Sequence, residues 1–331
     1  MDRPGPPLAL TLGEPAGLGP EIIAACWRAA PAPFLVVGDA RTIAAHAPVT
    51  VIRSPADVPA AFGTAVPVLD HPLPSTATPG VPQSAHSAAV TGWIETAVRL
   101  ATEGTVAGIV TAPIAKAPLY QAGFRFPGHT EFIADLTASR PWQGTRGPVM
   151  MLTARNLRAC LVTIHTPLSQ VPELVTAERV SRVARVVHEA MIRDFGIARP
   201  RLALAGLNPH AGEGGSIGLE EQEVLIPAAR ALRNEGLDIS DPRPADTLFH
   251  DEARETYDAV LCLYHDQALI PVKTLDFWGG VNVSLGLPIV RTSPDHGTGF
   301  DIAGKGIARA DSLIAAVRLA RTMADRRAAA A

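Results

Sequence analysis

The chain has 331 residues, of which 47% are hydrophobic and 18% are charged, as is typical of a globular protein and not of a disordered one. Its formal net charge of −3 at pH 7 gives no electrostatic reason to expect a nucleic acid or an anionic membrane as partner. No apolar run approaches the length of about eighteen residues that a membrane span needs. The N-terminal prolines interrupt the apolar stretch of a signal peptide, and Cys26, Cys160 and Cys262 lie far apart in apolar surroundings. We therefore expect a soluble, cytoplasmic protein with reduced, buried thiols.

Short apolar segments rich in β-branched residues alternate along the chain with longer segments of helical periodicity. The predicted strands are residues 8–12, 34–37, 108–110, 149–152, 157–164, 201–207, 259–264 and 281–284. The predicted helices are residues 20–30, 87–103, 131–138, 177–195, 219–235 and 312–326. This order predicts an α/β fold around mostly parallel sheets. Several of the strands lack in/out alternation, so we expect helices to cover both of their faces.

Three of the predicted strands run into a histidine. Residues 157–164 lead into His165, residues 201–207 into the segment that ends at His210, and residues 259–264 into His265. Ligands bind beyond the carboxyl ends of strands in open parallel sheets, so three imidazoles can meet at one metal ion there. Imidazole ligands suit Zn²⁺ and other first-row metals and leave positions open for substrate. The alternative is that each histidine is an ordinary hydrogen-bonding loop residue.

Residues 264–305 combine glycine with basic, acidic and imidazole side chains, which is typical of an active-site wall. Within it, Arg291 and Lys273 suit a phosphate or carboxylate group. Earlier in the chain, Thr130 follows His129 at the start of a helix, where it is either an N-cap or a substrate contact. Asp246 is either a helix cap or a catalytic carboxylate.

Two glycine-rich segments resemble phosphate loops without matching the known fingerprints. GEPAGLGPEI, residues 13–22, connects a strand to a helix, where an anion cradle and a tight connection are equally expected. AGEGGSIG, residues 211–218, is followed by three glutamates whose charge would repel a phosphate. We therefore interpret it as a turn that positions His210.

GEPAGLGPEI, GHTEF, GLNPHAGEGG, PADTLF, YHDQ, VNVSLGLPIVRTSPDHGT and IAGKG occur in this order over nearly the whole chain. Together they resemble the 4-hydroxythreonine-4-phosphate dehydrogenase family of pyridoxal 5′-phosphate biosynthesis. The resemblance implies that 4-phosphooxy-L-threonine is oxidised with NAD or NADP to 2-amino-3-oxo-4-phosphooxybutanoate, which decarboxylates to 3-amino-2-oxopropyl phosphate. It also implies an isocitrate/isopropylmalate dehydrogenase-like fold of two α/β/α lobes with the active site in the cleft between them. We place residues 1–130 with 285–331 in the first lobe and residues 131–284 in the second.

The resemblance also implies roles for individual residues. A divalent metal is held by His165, His210 and His265, with the set completed across a homodimer; Zn²⁺ is favoured and Mg²⁺ or Co²⁺ are alternatives. Substrate contacts are His129, Thr130, Lys273, Asn282 and Arg291, and both Asp246 and Lys273 are candidates for proton transfer. The cofactor contacts are His296, Gly297, Thr298, Asp301, Ile302, Ala303 and Gly304, in a loop similar to the adenosine-binding loop of isocitrate and isopropylmalate dehydrogenases. Those relatives usually have alanine at the position of Gly299, which leaves the adenine packing open.

Two alternative functions remain at this stage. A paralogous dehydrogenase of threonate or erythronate 4-phosphate would keep the metal, the cofactor and the phosphate contacts, and no residue here distinguishes an amino from a hydroxyl group at C2. A three-histidine zinc hydrolase would use a metal-bound hydroxide. The loop at residues 296–305 disfavours the hydrolase, because hydrolysis needs no adenosine site.

Overall fold

The computed structural model describes residues 5–330, which divide into two compact units. The first unit comprises residues 5–141 and 287–328, and the second comprises residues 142–286 with 329–330. The strands are β1 Leu8–Thr11, β2 Phe34–Gly38, β3 Val49–Ile52, β4 Val66–Asp70, β5 Ile109–Thr111, β6 Val149–Ala154, β7 Leu157–Leu161, β8 Arg201–Ala205, β9 Asp238–Arg243, β10 Ala259–Cys262, β11 Val281–Leu285 and β12 Arg291–Pro294. The α-helices are α1 Gly19–Ala29, α2 Ala40–Ala44, α3 Val58–Ala61, α4 Ser87–Thr102, α5 Lys116–Gln121, α6 His129–Leu136, α7 Val171–Leu174, α8 Ala177–Arg193, α9 Ile226–Asn234, α10 Asp251–Arg254, α11 His265–Leu275 and α12 Asp311–Ala330.

The sheet of the first unit is entirely parallel, with strand order β3-β4-β2-β1-β5-β12. Every residue of β1, β2 and β5 is buried, and α4 packs on β1 and β2 through buried side chains that include Trp93. Central parallel strands are covered on both faces in this architecture, which explains why their sequences are almost entirely apolar. The predicted α/β class with mostly parallel strands is confirmed.

The sheet of the second unit is mixed, with strand order β11-β6-β7-β10-β8-β9. β6 runs antiparallel to both β11 and β7, whereas β7, β10, β8 and β9 are parallel. Its hydrophobic core joins Leu157 and Val260 of the sheet to Ala268 and Val272 of α11. This packing fixes α11 directly after the carboxyl end of β10.

The structure contains several strands and helices that the sequence did not predict, among them α11, which begins at His265. β3, β4, β9 and β12 were not predicted. β9 contains Pro242, next to a register shift against β8, and proline is tolerated there because β9 is an edge strand. The predicted helix 219–235 begins with a π-helical turn at Glu221–Leu225 and becomes α-helical only at Ile226. Pro227 lacks the N–H that a regular helix would use there.

The three cysteines are buried and unbonded to one another, as predicted. Burial raises the pKa of the Cys26 thiol to about 12, and it raises the pKa of Cys160 and Cys262 as well. These thiols are therefore protonated and unreactive at neutral pH. None of the helices within residues 5–330 combines the length and hydropathy required to cross a bilayer.

Candidate functional site

Three histidines, which we call the imidazole site, follow three neighbouring strands of the second unit. β7, β10 and β8 lie side by side and run parallel, and His165, His265 and His210 come just after their carboxyl ends. The ring centroids of His165 and His265 are 5.5 Å apart. His265 Nδ1 lies 2.7 Å from an oxygen of Asp266, which leaves Nε2 as the nitrogen for a ligand. The strand arrangement assumed in the sequence analysis is thus confirmed.

Two members of the imidazole site have left-handed backbone. φ is +26° at His165 and +53° at His210, and it is also positive at Ala211 and Glu213. Residues other than glycine rarely adopt this backbone conformation, which costs about 1–3 kcal/mol for each such residue. Such a run persists only where its surroundings enforce it, and strained residues of this kind concentrate at functional sites.

Glu221 provides that enforcement for the segment that carries His210. Its buried carboxylate accepts hydrogen bonds from the backbone N–H groups of Leu207 and Asn208, both at 2.8 Å, and from the Asn208 side-chain amide at 2.9 Å. A Cβ at Gly212 would lie 2.7 Å from the same carboxylate, so glycine is required for this close approach. The interpretation of residues 211–218 as a turn is consistent with this geometry, and the adjacent glutamate anchors that turn.

Gln267 connects two of the strand ends that carry the imidazole site. Its side-chain oxygen accepts from the backbone N–H of Leu263 at 2.6 Å, and its amide group donates to the carbonyl of Gly206 at 2.8 Å. Leu263 lies two residues before His265, and Gly206 lies four residues before His210. A buried amide therefore holds the β10 and β8 ends together.

The donor chemistry of the imidazole site fits a first-row divalent metal, since neutral imidazole nitrogen is a suitable ligand for such ions. Among residues 5–330, however, no cluster of three or more His, Cys, Asp or Glu side chains is close enough to hold a metal. His210 is exposed, whereas the rings of His165 and His265 lie close to each other. The three-ligand assignment therefore remains a prediction.

The other predicted residues of the second unit occupy different environments. Asp246 is exposed in a short turn at Ala245–Thr247. Lys273 lies on α11 with its Nζ 5.2 Å from the ring centroid of Phe277, in a cation–π arrangement. Asn282 lies on β11, and its Oδ1 is buried without a hydrogen-bond partner among the described residues. Buried polar atoms usually have a hydrogen-bond partner, so this oxygen is a candidate contact for a ligand or a water molecule.

In the first unit, Arg291 is the centre of a polar group that we call the basic cluster, comprising Arg291, Thr111, Lys116, His129 and Thr130. Arg291 opens β12 and is 3% exposed. Its Nη2 donates to Thr111 Oγ1 at 2.8 Å, and its Nη1 lies 3.5 Å from Thr130 Oγ1. Burial lowers the pKa of Arg291 to about 10, so it remains a cation at neutral pH. The structure thus brings together the predicted residues Thr130 and Arg291.

His129 begins α6 beside this arginine. Burial, together with the charges of Arg291 and Lys116, lowers the pKa of His129 well below its usual value. Its Nε2 is buried without a hydrogen-bond partner within residues 5–330. His129 is therefore a neutral imidazole with one ring nitrogen available to a ligand. Lys116 was missed in the sequence analysis; the available signal was a lysine shortly after the predicted strand 108–110.

The predicted cofactor loop, residues 296–305, packs against the segment that contains GEPAGLG. Leu18 N–H donates to the carbonyl of Thr298 at 2.9 Å, and a Cβ at Gly17 would meet that same carbonyl at 2.8 Å. Gly299 has φ +57°, and a Cβ there would lie 2.5 Å from the Leu18 side chain. Glycine is thus required at Gly299, which accounts for the departure from the alanine of similar loops.

Glu21 fixes the end of the cofactor loop. Its carboxylate accepts hydrogen bonds from the backbone N–H groups of Gly304 and Gly306, the second at 3.1 Å. His296, at the other end of the loop, has its Nε2 buried without a hydrogen-bond partner in the part of the chain that the structure describes. These contacts are consistent with the interpretation of GEPAGLGPEI as a tight connection, which supports the loop through its backbone.

Glu14 is a further candidate that the sequence analysis did not identify. It follows the carboxyl end of β1, is 4% exposed, and accepts a hydrogen bond from Ala16 N–H at 3.1 Å. Burial raises the pKa of its carboxyl group above the usual range, an effect that the backbone hydrogen bond partly opposes. Buried carboxyl groups with raised pKa values concentrate at functional sites. The signal in the sequence was an acidic residue inside a glycine-rich connection.

Comparison with known proteins relates these features to one family. The family model described as pyridoxal phosphate biosynthetic protein PdxA matches residues 30–320. A 4-hydroxythreonine-4-phosphate dehydrogenase of Caulobacter vibrioides is 58% identical over 97% of this chain and 98% of its own length. One of Maricaulis maris is 53% identical over 97% and 98%. The crystal structure of a 4-hydroxythreonine-4-phosphate dehydrogenase from Klebsiella pneumoniae is 38% identical, has a TM-score of 0.85, and covers 96% of this chain and 99% of that one.

Proposed function

Because this chain belongs to the pyridoxal phosphate biosynthetic protein PdxA family, we propose that it is a 4-hydroxythreonine-4-phosphate dehydrogenase. It oxidises the 3-hydroxyl of 4-phosphooxy-L-threonine with NAD or NADP, and the resulting 2-amino-3-oxo acid loses CO₂ to give 3-amino-2-oxopropyl phosphate. The observation that carries the proposal is the placement of His165, His265 and His210 after three adjacent parallel strands. This edge of a sheet is where such folds bind ligands.

We assign the divalent metal to the imidazole site, with Zn²⁺ favoured and Mg²⁺ or Co²⁺ as alternatives. When bound, such an ion lowers the pKa of the hydroxyl group that is oxidised. The chain's own contribution is to orient the imidazoles. Asp266 holds one His265 ring nitrogen, while Glu221 and Gln267 fix the backbone that carries the site. Groups that orient metal ligands in this way typically raise metal affinity by about ten- to a hundredfold.

We further propose that a second copy of the chain completes the metal set. Only the rings of His165 and His265 lie close together within the described residues of one chain, and His210 is exposed. A mixture of inactive His210→Ala and inactive Arg291→Ala chains would regain activity if sites are built from two chains. Absence of any recovery in verified mixed dimers would contradict the shared site.

The remaining substrate and cofactor roles follow from the basic cluster and the cofactor loop. Arg291 presents a buried, fixed guanidinium fork suited to the substrate phosphate, with Thr130 beside it and the neutral His129 available as a hydrogen-bonding partner. Lys273 and Asn282 are proposed as the substrate contacts of the second unit. Asp246 and Lys273 remain the candidates for proton transfer. NAD or NADP, held at residues 296–304, supplies the hydride acceptor.

An NADH absorbance assay tests the proposal directly. The enzyme is supplied in turn with 4-phosphooxy-L-threonine, threonate 4-phosphate and erythronate 4-phosphate, before and after chelation. We expect metal-dependent NADH formation with the first substrate at the highest kcat/KM. A preference for either sugar-acid phosphate would replace the proposed substrate. Hydrolysis without NAD, or full activity of His210→Ala after chelation, would exclude the mechanism.

A further inference from the structure

We propose that Lys116 is a further substrate-binding residue, whose ammonium group holds the substrate phosphate together with the guanidinium of Arg291. The inference rests on the proposed function and extends it. It concerns a residue outside the imidazole site, the cofactor loop and every substrate contact identified from the sequence.

The position of Lys116 follows from the local fold. β5 ends at Thr111, which receives a hydrogen bond from Arg291, and Lys116 opens α5 five residues later. The loop after β5 therefore joins the strand end that contacts Arg291 to the helix that begins at Lys116. Gly128, the residue just before His129, lies beside the lysine stem: a Cβ built on Gly128 would be 3.8 Å from Lys116 Cε. The ammonium-bearing end of Lys116 is therefore adjacent to the start of α6.

The charges around Lys116 and Arg291 favour the binding of a dianion. Lys116 is exposed and forms no ion pair within residues 5–330, whereas Arg291 is buried. One carboxylate, that of Glu131, faces the cluster and partly offsets the arginine. His129 adds no charge, because burial and the neighbouring cations Arg291 and Lys116 lower its pKa well below the usual value. Two cations against one carboxylate leave a net positive charge, to which a phosphate monoester brings a charge of about −1.5 to −2.

The two cations contribute in different ways. Arg291 is fixed by its hydrogen bonds to Thr111 and Thr130 and presents a rigid planar fork. Lys116 has a flexible stem at the surface and acts as a mobile point charge. A phosphate that enters from solvent would meet Lys116 first and would then be oriented by Arg291. Lys116 should therefore affect the binding of phosphorylated substrate more than the chemical step.

Steady-state kinetics of Lys116→Gln and Lys116→Arg test this inference. For 4-phosphooxy-L-threonine we expect Lys116→Gln to raise KM by about ten- to a hundredfold, the effect of losing one charge-assisted hydrogen bond, with kcat nearly unchanged. Lys116→Arg should recover most of the affinity. With unphosphorylated 4-hydroxy-L-threonine, kcat/KM should be the same for the wild type and both variants. Arg182→Gln, which removes an exposed positive charge on α8, is the matched control.

A binding experiment separates this inference from the proposed function. Titration of the metal-loaded protein with inorganic phosphate requires no turnover, and Lys116→Gln should bind phosphate at least about tenfold more weakly than the wild type. If the wild type is active and Lys116→Gln keeps its KM and its phosphate affinity, the inference is overturned and the function stands. If the wild type oxidises none of the three substrates, the function fails, and the phosphate titration alone decides the role of Lys116.

Discussion

Replacing Glu221 by glutamine is expected to weaken both the fold and the imidazole site. The carboxylate is 2% exposed and accepts two backbone hydrogen bonds at 2.8 Å and one side-chain hydrogen bond at 2.9 Å. Hydrogen bonds to a charged group contribute about 1.5–3 kcal/mol each, and a neutral acceptor roughly halves that value. The new amide would also place a donor against the Asn208 amide. We expect the free energy of unfolding to fall by about 2–4 kcal/mol.

The same change should lower metal affinity, because Glu221 orients the segment that carries His210. We expect a loss of about ten- to a hundredfold, as for other groups that position metal ligands. Urea unfolding of the metal-free protein measures the first effect, and competition with a chromophoric chelator measures the second. Glu223→Gln, an exposed glutamate on the same turn, is the control. A Glu221→Gln protein that unfolds and binds metal like the control would refute the reasoning.

Three further expectations follow from single contacts. Gly17→Ala places a Cβ against the Thr298 carbonyl and should weaken NAD binding by about tenfold or more in a fluorescence titration. The control is Gly92→Ala, in open space inside α4, which should stabilise the fold by about 0.5–1 kcal/mol. Equal NAD affinities would contradict the loop assignment. Arg291→Lys loses the bidentate fork and should raise KM for phosphorylated substrate by about tenfold or more; an unchanged KM would place the phosphate elsewhere. The pKa of His129 is lowered in the folded state. Below about pH 6.5 the unfolded chain therefore binds a proton that the folded chain does not, and the free energy of unfolding falls as pH decreases. His129→Gln should reduce this decline in urea titrations at pH 7.5 and 5.5, and an identical decline would be evidence against burial of a neutral imidazole.

Much of the fold could be predicted from the sequence because the central strands are buried on both faces. β1, β2 and β10 are fully buried and almost entirely apolar, and they were located within a few residues. β9 could not be found in this way, since an edge strand with a proline and a half-exposed surface has neither an apolar run nor a clean alternation. β12 was missed for a different reason: its first residue is a charged arginine, buried through hydrogen bonds that only the tertiary structure supplies.

Some residues of the candidate site could be predicted from the sequence, whereas others are recognised only from their contacts in the folded structure. The histidines could be identified because each follows an apolar strand, and the order of parallel strands then brings their ends to one edge. Glu221 and Lys116 carried no comparable signal. Glu221 appeared to be one of several helix-start glutamates, and Lys116 an isolated surface lysine. Their partners lie 13 or more residues away along the chain, so only the folded structure shows what they contact.

The left-handed backbone around His210 links the energetics of the fold to the site. His210, Ala211 and Glu213 each adopt a conformation that costs about 1–3 kcal/mol for a residue with a side chain. A relaxed turn would avoid this cost if the segment served only to connect β8 to α9. Instead, Glu221 and Gln267 hold its beginning in place with buried hydrogen bonds. Stabilisation directed at one strained segment agrees with the proposal that the His210 imidazole points in a fixed direction to bind a metal.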